Sequence, residues 1–292
     1  MDKRIGLLGA TSLVGGCLIE QLRERGWNVT AFSRNAEGSG APNPRWIRLD
    51  NHHSLPDPHT KSQAIPLWVC AAPIWVLPGY LPMLEVYGAQ RVVTLSSTSR
   101  FTKALSGNRA EVGIVQRLRE GEEQLHAWAI AKEVDWAVLR PTLIYGHGKD
   151  KNICEIARFI RRFGFFPVFG KAMGMRQPVH AEDVAMACIA ALESPLTLNR
   201  AYDLSGGESI PYREMITRVF AALGRPPRLL PIPLPVFGLA LAMLRCLPYH
   251  QHWSTPMAIR MNQDLTFDHS GATRDLGYMP RAFVLRPVDL PA

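Results

Sequence analysis

Cysteine is scarce and scattered in this 292-residue chain: Cys17, Cys70, Cys154, Cys188 and Cys246 are the only five, and no two form a C-x-x-C pair. That spacing excludes the usual zinc sites and a disulfide scaffold, and it fits a reducing, cytoplasmic compartment. A long apolar run is also missing. The longest, Pro231 to Leu247, is broken by Pro233, Pro235 and Arg245, and a bilayer span needs about 20 consecutive apolar residues. Within it, Val236 to Leu244 suits a core or pocket helix, with weak membrane-surface association as the alternative. The N-terminus has charges but no apolar core leading to a cleavage site, so no signal peptide is expected. Repeats and low-complexity segments are absent. Acidic residues are the minority, 25 against 33 Lys and Arg, for a net charge of +8. The excess is dispersed, densest at Arg158, Arg161 and Arg162. It suits a phosphate-bearing ligand, while no motif supports nucleic-acid binding.

The most informative stretch is Ile5-Gly6-Leu7-Leu8-Gly9-Ala10-Thr11-Ser12-Leu13-Val14-Gly15-Gly16. An apolar strand runs into a glycine turn and then a helix, which brings backbone N–H groups up to a pyrophosphate. Gly9 suits the tight turn and Gly15 lets the helix pack closely on the strand. Ser12 stands where a glycine would usually give the phosphates room. The second strand ends Ser33-Arg34-Asn35, with no carboxylate for a ribose 2′-hydroxyl. Arg34 suits a 2′-phosphate, so NADP is expected ahead of NAD. Asp50, after the third strand, is placed to meet the adenine.

Strands are expected at Arg4–Leu8, Asn28–Phe32, Trp46–Leu49, Leu67–Ala71, Arg91–Leu95, Asp135–Leu139 and Ala201–Leu204. Helices are expected at Leu13–Arg25, Leu81–Tyr87, Glu111–Lys132, Asn152–Phe163, Ala181–Leu192 and Tyr212–Leu223. The strands are continuous apolar runs, as in strands buried on both faces. Their alternation with helices predicts an α/β protein with a doubly wound parallel sheet. Asn51 to Gln63, polar and carrying Pro56 and Pro58, reads as a loop.

In this order, the landmarks resemble an extended or atypical short-chain dehydrogenase/reductase of the NAD-dependent epimerase/dehydratase family. The glycine turn at residues 9–15 is similar to the family's. So are Val92-Val93-Thr94-Leu95-Ser96-Ser97-Thr98, Leu139-Arg140-Pro141-Thr142-Leu143-Ile144-Tyr145-Gly146, Gln177-Pro178-Val179-His180-Ala181-Glu182-Asp183 and Leu276-Gly277-Tyr278-Met279-Pro280-Arg281. The resemblance implies a Rossmann domain from residues 1–147 and 181–205, with a smaller, discontinuous substrate domain from 148–180 and 206–292. It places a dinucleotide against Gly9, Ala10, Thr11, Ser12, Leu13, Val14, Gly15, Ser33, Arg34, Asp50, Ala71, Ala72, Ser96, Pro141 and Thr142. A homodimer is compatible with it.

The family's chemistry rests on a Tyr-x-x-x-Lys pair after the fifth strand, both side chains on one helix face. This chain has no tyrosine between Tyr87 and Tyr145. The two positions fall on Ile114 and Leu118, or one register on, on Val115 and Arg119. Neither register supplies a phenol or an ammonium. Ser97 and Thr98 remain as donors to a substrate oxygen, and Lys103, Tyr145 and His180 as other candidate catalytic groups. Two functions follow: an NADP-dependent oxidoreductase with a different proton donor, or an NADP-binding sensor or complex subunit without hydride chemistry. Nucleotide-sugar epimerisation is a third. The substrate side is expected to be apolar, through Phe159, Phe163, Phe165, Phe166, Val168 and Phe169, with Arg140 and Arg176 available to an acidic group. No metal is expected.

Overall fold

A computed structural model describes residues 3–34, 43–49, 64–102, 108–233 and 255–292. Lys103, Asp50, Cys246, the Asn51–Gln63 loop and Val236–Leu244 lie outside the described residues.

The first half alternates as its hydrophobic pattern demands: β1 (Arg4–Leu8), α1 (Leu13–Glu24), β2 (Asn28–Ser33), β3 (Arg45–Arg48), β4 (Leu67–Cys70), α2 (Leu81–Val86), β5 (Arg91–Leu95), α3 (Ser99–Thr102), α4 (Arg109–Lys132) and β6 (Asp135–Pro141). The rest comprises β7 (Ile144–Tyr145), α5 (Asn152–Phe163), β8 (Phe166–Phe169), β9 (Met175–Arg176), β10 (Val179–His180), α6 (Ala181–Glu193), β11 (Arg200–Leu204), β12 (Ile210–Pro211), α7 (Tyr212–Ala222) and β13 (Leu229–Ile232). Short helices follow at Thr255–Arg260 and Ser270–Leu276.

Seven strands form one parallel sheet in the order β11-β6-β5-β4-β1-β2-β3. The chain therefore winds one way from β1 to β3 and the other way from β4 onward. The crevice outside the carboxyl ends of β1 and β4 is where such a sheet binds ligands. The expected fold class stands.

Both sheet faces are covered, which explains the unbroken apolar strands. On one face α1 and α6 bury Leu18, Leu22, Val184 and Ile189 against Ile5, Leu7 and Val93. On the other, Trp68, Leu84, Leu118 and Leu125 pack together. Gly6 makes room there: a Cβ would strike the Trp68 indole, whose Nε1 donates to the Ile65 carbonyl at 2.7 Å. A third cluster joins α5 and α7 through Ile153, Ile160, Met215, Val219 and Phe220, with Phe166, Val168 and Phe169 of β8. Ala272 and Tyr278, near the C-terminus, pack with α1 and α6, whereas Phe283 and Leu290 join the third cluster.

The link from β4 to α4 departs from the expected pattern. A 3-10 helix at Ile74–Tyr80 precedes α2, with Pro78 inside it. Gly121 lets α4 approach this segment: a Cβ there would lie 3.1 Å from the Ile74 carbonyl.

Candidate functional site

The glycine turn is built as its residues require. Gly9 has φ +74°, and a Cβ there would meet the Ala72 amide. A Cβ on Gly15 would run into the Gly9 carbonyl oxygen, so α1 can lie this close to β1 only through glycine. Ser12 caps α1, accepting from the Gly15 N–H at 3.0 Å and donating to the Ala71 carbonyl at 3.2 Å. It therefore satisfies one helix-start amide itself. The N–H groups of Leu13 and Val14 have no intrahelical partner, and both residues line an open cleft with Ser12, Ala71 and Ala72. Gly9, Ala10 and Thr11 shape the turn from behind. Thr11 is hydrogen-bonded to Ser33, Oγ1 to Oγ 3.0 Å. Arg34 is exposed just past the end of β2.

The cleft has a volume of about 680 Å³, within the range of small-molecule sites. It runs from α1 past Ala71–Ile74 and Ser96–Ser99 to Pro141–Ile144, and on to Arg176, Tyr212, Arg260, Met261, Leu265 and Phe267. Among the hydroxyls on its wall, Thr98 donates to the Pro141 carbonyl at 3.3 Å. Ser97 accepts from the Ser99 N–H at 3.1 Å, so its own proton is not used in that bond.

Behind Ser96 lies a network that sequence reasoning missed. Glu122, on α4, is 1% exposed. It accepts from Ser96 Oγ at 2.6 Å, from Arg140 Nε and NH2 at 3.1 and 2.6 Å, and from Arg100. Burial pushes its carboxyl upward, but the bonds from Arg140 and Ser96 and the charges of Arg140 and Arg100 outweigh that. The group is held below the usual carboxylate range. This network ties α4 to the ends of β5 and β6 and consumes the Arg140 guanidinium.

The same helix carries both expected pairs. Leu118 is buried and lines the cleft, while Arg119 is exposed. Ile114 packs against the Trp68 cluster, and Val115 is buried.

Residues 118–204 match the profile of the NAD dependent epimerase/dehydratase family. That match covers less than a third of the chain and marks this segment as similar to the family. UDP-glucose 4-epimerase of Vibrio cholerae is 25% identical over 115 residues, 39% of this chain and 35% of its own. Subunit 9 of the NADH dehydrogenase [ubiquinone] 1 alpha subcomplex of Arabidopsis thaliana, mitochondrial, is 23% identical over 252 residues, 79% of this chain and 60% of its own. The chain thus spans less than two thirds of the curated relatives it matches. Among solved structures, UDP-glucuronic acid 4-epimerase of Bacillus cereus, in complex with NAD, superposes with TM-score 0.71 at 14% identity. That likeness covers 98% of this chain and 95% of the other. UDP-glucose 4-epimerase of Thermotoga maritima with UDP-glucose gives TM-score 0.68 at 14% identity, covering 96% and 94%.

Against this family's pattern, two candidate acids lie away from the cleft. Tyr145 is fully buried, stacked edge-on against His180 and Phe283, and burial pushes its phenol up to about 12. His180 is 1% exposed and caps α6, accepting from the Glu182 N–H at 3.2 Å. Its Nε2 lies 3.1 Å from Asp289 Oδ1. Burial holds its imidazole below the ordinary range despite that carboxylate. Both residues serve packing, and neither is carried forward as the proton donor. The expected phenylalanine lining is also displaced: Phe166 and Phe169 are core, Phe163 is half-exposed, and Leu265 and Phe267 line the cleft in their place. Arg176 does reach the cleft, but its guanidinium donates to the carbonyls of Met175, Gln263 and Arg260.

Asp289 fastens the C-terminal segment. It is fully buried and accepts from the His147 N–H at 3.2 Å and the Arg286 N–H at 2.9 Å. Burial opposes its charge, but these bonds and those of the Arg286 and His180 side chains bring it to about 2. A lowered carboxylate contributes stability above its unfolded value, and that stability is lost as pH falls through the folded one. Asp289→Asn is expected to cost about 2 kcal/mol at neutral pH. Its urea-unfolding free energy should also lose pH dependence between 3.8 and about 2. An unchanged profile would mean that the carboxylate is not held as described.

Proposed function

We propose that the cleft binds a nicotinamide dinucleotide, NADP ahead of NAD, and that the chain is an oxidoreductase acting on a small apolar or carbonyl substrate. The observation that carries this is the continuity of one cleft from the Leu13 and Val14 amides to the Ser97 hydroxyl. Phosphates suit the first end, where backbone donors and the α1 dipole converge. The bound cofactor would supply a hydride. Ser97, with Thr98 behind it, would hold the substrate oxygen, and the apolar residues Leu118, Met261 and Leu265 would exclude water. The chain divides into the dinucleotide-binding and substrate domains set out from the sequence, with Ser96, Pro141 and Thr142 on the wall between them.

A second reading is favoured by Leu118. Without an ammonium there or a phenol at Ile114, the pocket can hold a dinucleotide without passing a proton, as a sensor or complex subunit would. The partial likeness to the Arabidopsis complex subunit supports this reading. Epimerisation of a nucleotide sugar has less support, because Arg176 is spent on backbone carbonyls.

Calorimetry with NADPH and NADH, followed by nicotinamide absorbance across aldehydes, ketones and quinones, separates these readings. Binding with turnover that Ser97→Ala abolishes supports the oxidoreductase. Binding without turnover on every substrate supports the sensor, and no binding removes both. Arg34→Ala should weaken NADPH about tenfold, the loss of one charge-assisted phosphate contact, and leave NADH unchanged. Equal losses for both cofactors would refute the assignment of Arg34 to a 2′-phosphate.

A further inference from the structure

Positive charge on the cleft wall is unevenly committed. Arg176 is spent on backbone carbonyls, and Arg260 is paired with Glu111 at 2.6 Å. Lys149 and Lys151 are the remaining cations of the described lining. Among the described residues, neither ammonium has a hydrogen bond or an ion pair. Asp150 is the one carboxylate of that lining. It is 7% exposed and accepts from the Ile153 and Cys154 N–H groups at 2.6 and 3.4 Å, so it secures the start of α5 instead of neutralising a lysine.

A turn of unusual backbone leads into Lys149. Gly146, His147 and Gly148 have φ of +128°, +53° and +60° in succession, a run that only glycine enters freely. His147 is kept there through its N–H, which donates to Asp289 Oδ1 at 3.2 Å. A Cβ on Gly148 would strike the Leu290 carbonyl, so the turn lies hard against the C-terminal segment. The Lys149 N–H then donates to the Gly146 carbonyl at 3.4 Å. Backbone of this kind persists where the surrounding structure fixes it, and here it fixes where the lysine stem begins.

The lysine belongs to the same cleft as Leu13 and Val14, at the start of α1. Burial pushes the Cys17 thiol of α1 up to about 11, the charges of Glu182 and Glu20 add to this, and the Lys149 ammonium is near enough to oppose them. The α1 terminus itself offers about half a positive charge, short of what a pyrophosphate carries. We propose that Lys149 is a second anchor for the dinucleotide, its ammonium meeting the same pyrophosphate as the Leu13 and Val14 amides. The inference rests on the cleft being a dinucleotide site. An ammonium on a flexible stem, with three rotatable donors, suits an oxygen cluster that backbone amides already orient.

Calorimetry of the full chain with NADPH and with NADH, no substrate present, is the test. K149Q should weaken both cofactors about tenfold, the loss of one charge-assisted phosphate contact. It should also flatten the fall in affinity with added salt. K171Q, which removes an exposed lysine outside the cleft lining, should match the parent. Thermal melts matching the parent exclude unfolding as the cause. Equal affinities for K149Q and the parent overturn the proposal and leave the reading of the cleft standing. A parent chain that binds neither cofactor removes both. A loss confined to NADPH would move Lys149 to the 2′-phosphate, and an equal loss in K151Q or K171Q would reduce the effect to the general surface field. Either result overturns the assignment.

Discussion

Replacing Glu122 by alanine is expected to cost about 3–5 kcal/mol, the range for removing one partner of a buried ionic network. The variant would leave Arg100 without its Glu122 counter-charge, Arg140 with only Asp203 Oδ1 at 4.0 Å, and Ser96 Oγ without its acceptor. Because the Glu122 carboxyl sits below its ordinary range, its contribution is present at neutral pH and lost as pH falls through the folded value. Glu122→Gln should therefore keep most of the shape of the network but flatten the acid limb of stability against pH. Urea unfolding at neutral pH and at pH below 4.5, the ordinary glutamate value, measures both effects. A loss within the error of a surface substitution would show that the network is not held in solution.

Gly15→Val is expected to weaken dinucleotide binding about 100-fold, close to 3 kcal/mol. The added atoms would meet the Gly9 carbonyl, which is backbone and cannot swing aside. Helix α1 must then move away from β1, carrying the Leu13 and Val14 amides with it. Gly16→Ala is the control, since a Cβ there meets nothing within 4 Å. Calorimetry on both variants decides: equal affinities would separate the turn from binding altogether.

Much of this architecture could be read from residue order. Asn152 to Phe163 alternates buried isoleucine and alanine with arginine at helical spacing, and the helix spans those same residues. Strands β1, β4, β5 and β6 begin at the expected residues because buried parallel strands have sharp polar edges. The 3-10 helix at Ile74–Tyr80 was not legible, since Ile74, Trp75, Val76 and Leu77 form an apolar run that a strand would also show. Glu122 was missed because α4 is rich in charge, where one more glutamate reads as solvated. Its place between Leu118 and Leu125 on the buried face was the available signal, as was Arg140 inside an apolar strand. Conversely, Tyr145 and His180 have side chains suited to proton transfer, but they are buried against Phe283 and Asp289 rather than set on the cleft wall, which residue type alone does not reveal.

The double role of Ser12 has a consequence for how the groove meets its ligand. One hydroxyl both closes the start of α1 and grips the carbonyl beyond β4, spanning the point where the two windings of the sheet diverge. The groove's width is thereby set before any ligand arrives, so association incurs little reorganisation there. The cost of that rigidity is one amide fewer for the phosphates of the proposed dinucleotide, whose recognition would then fall more heavily on its far end.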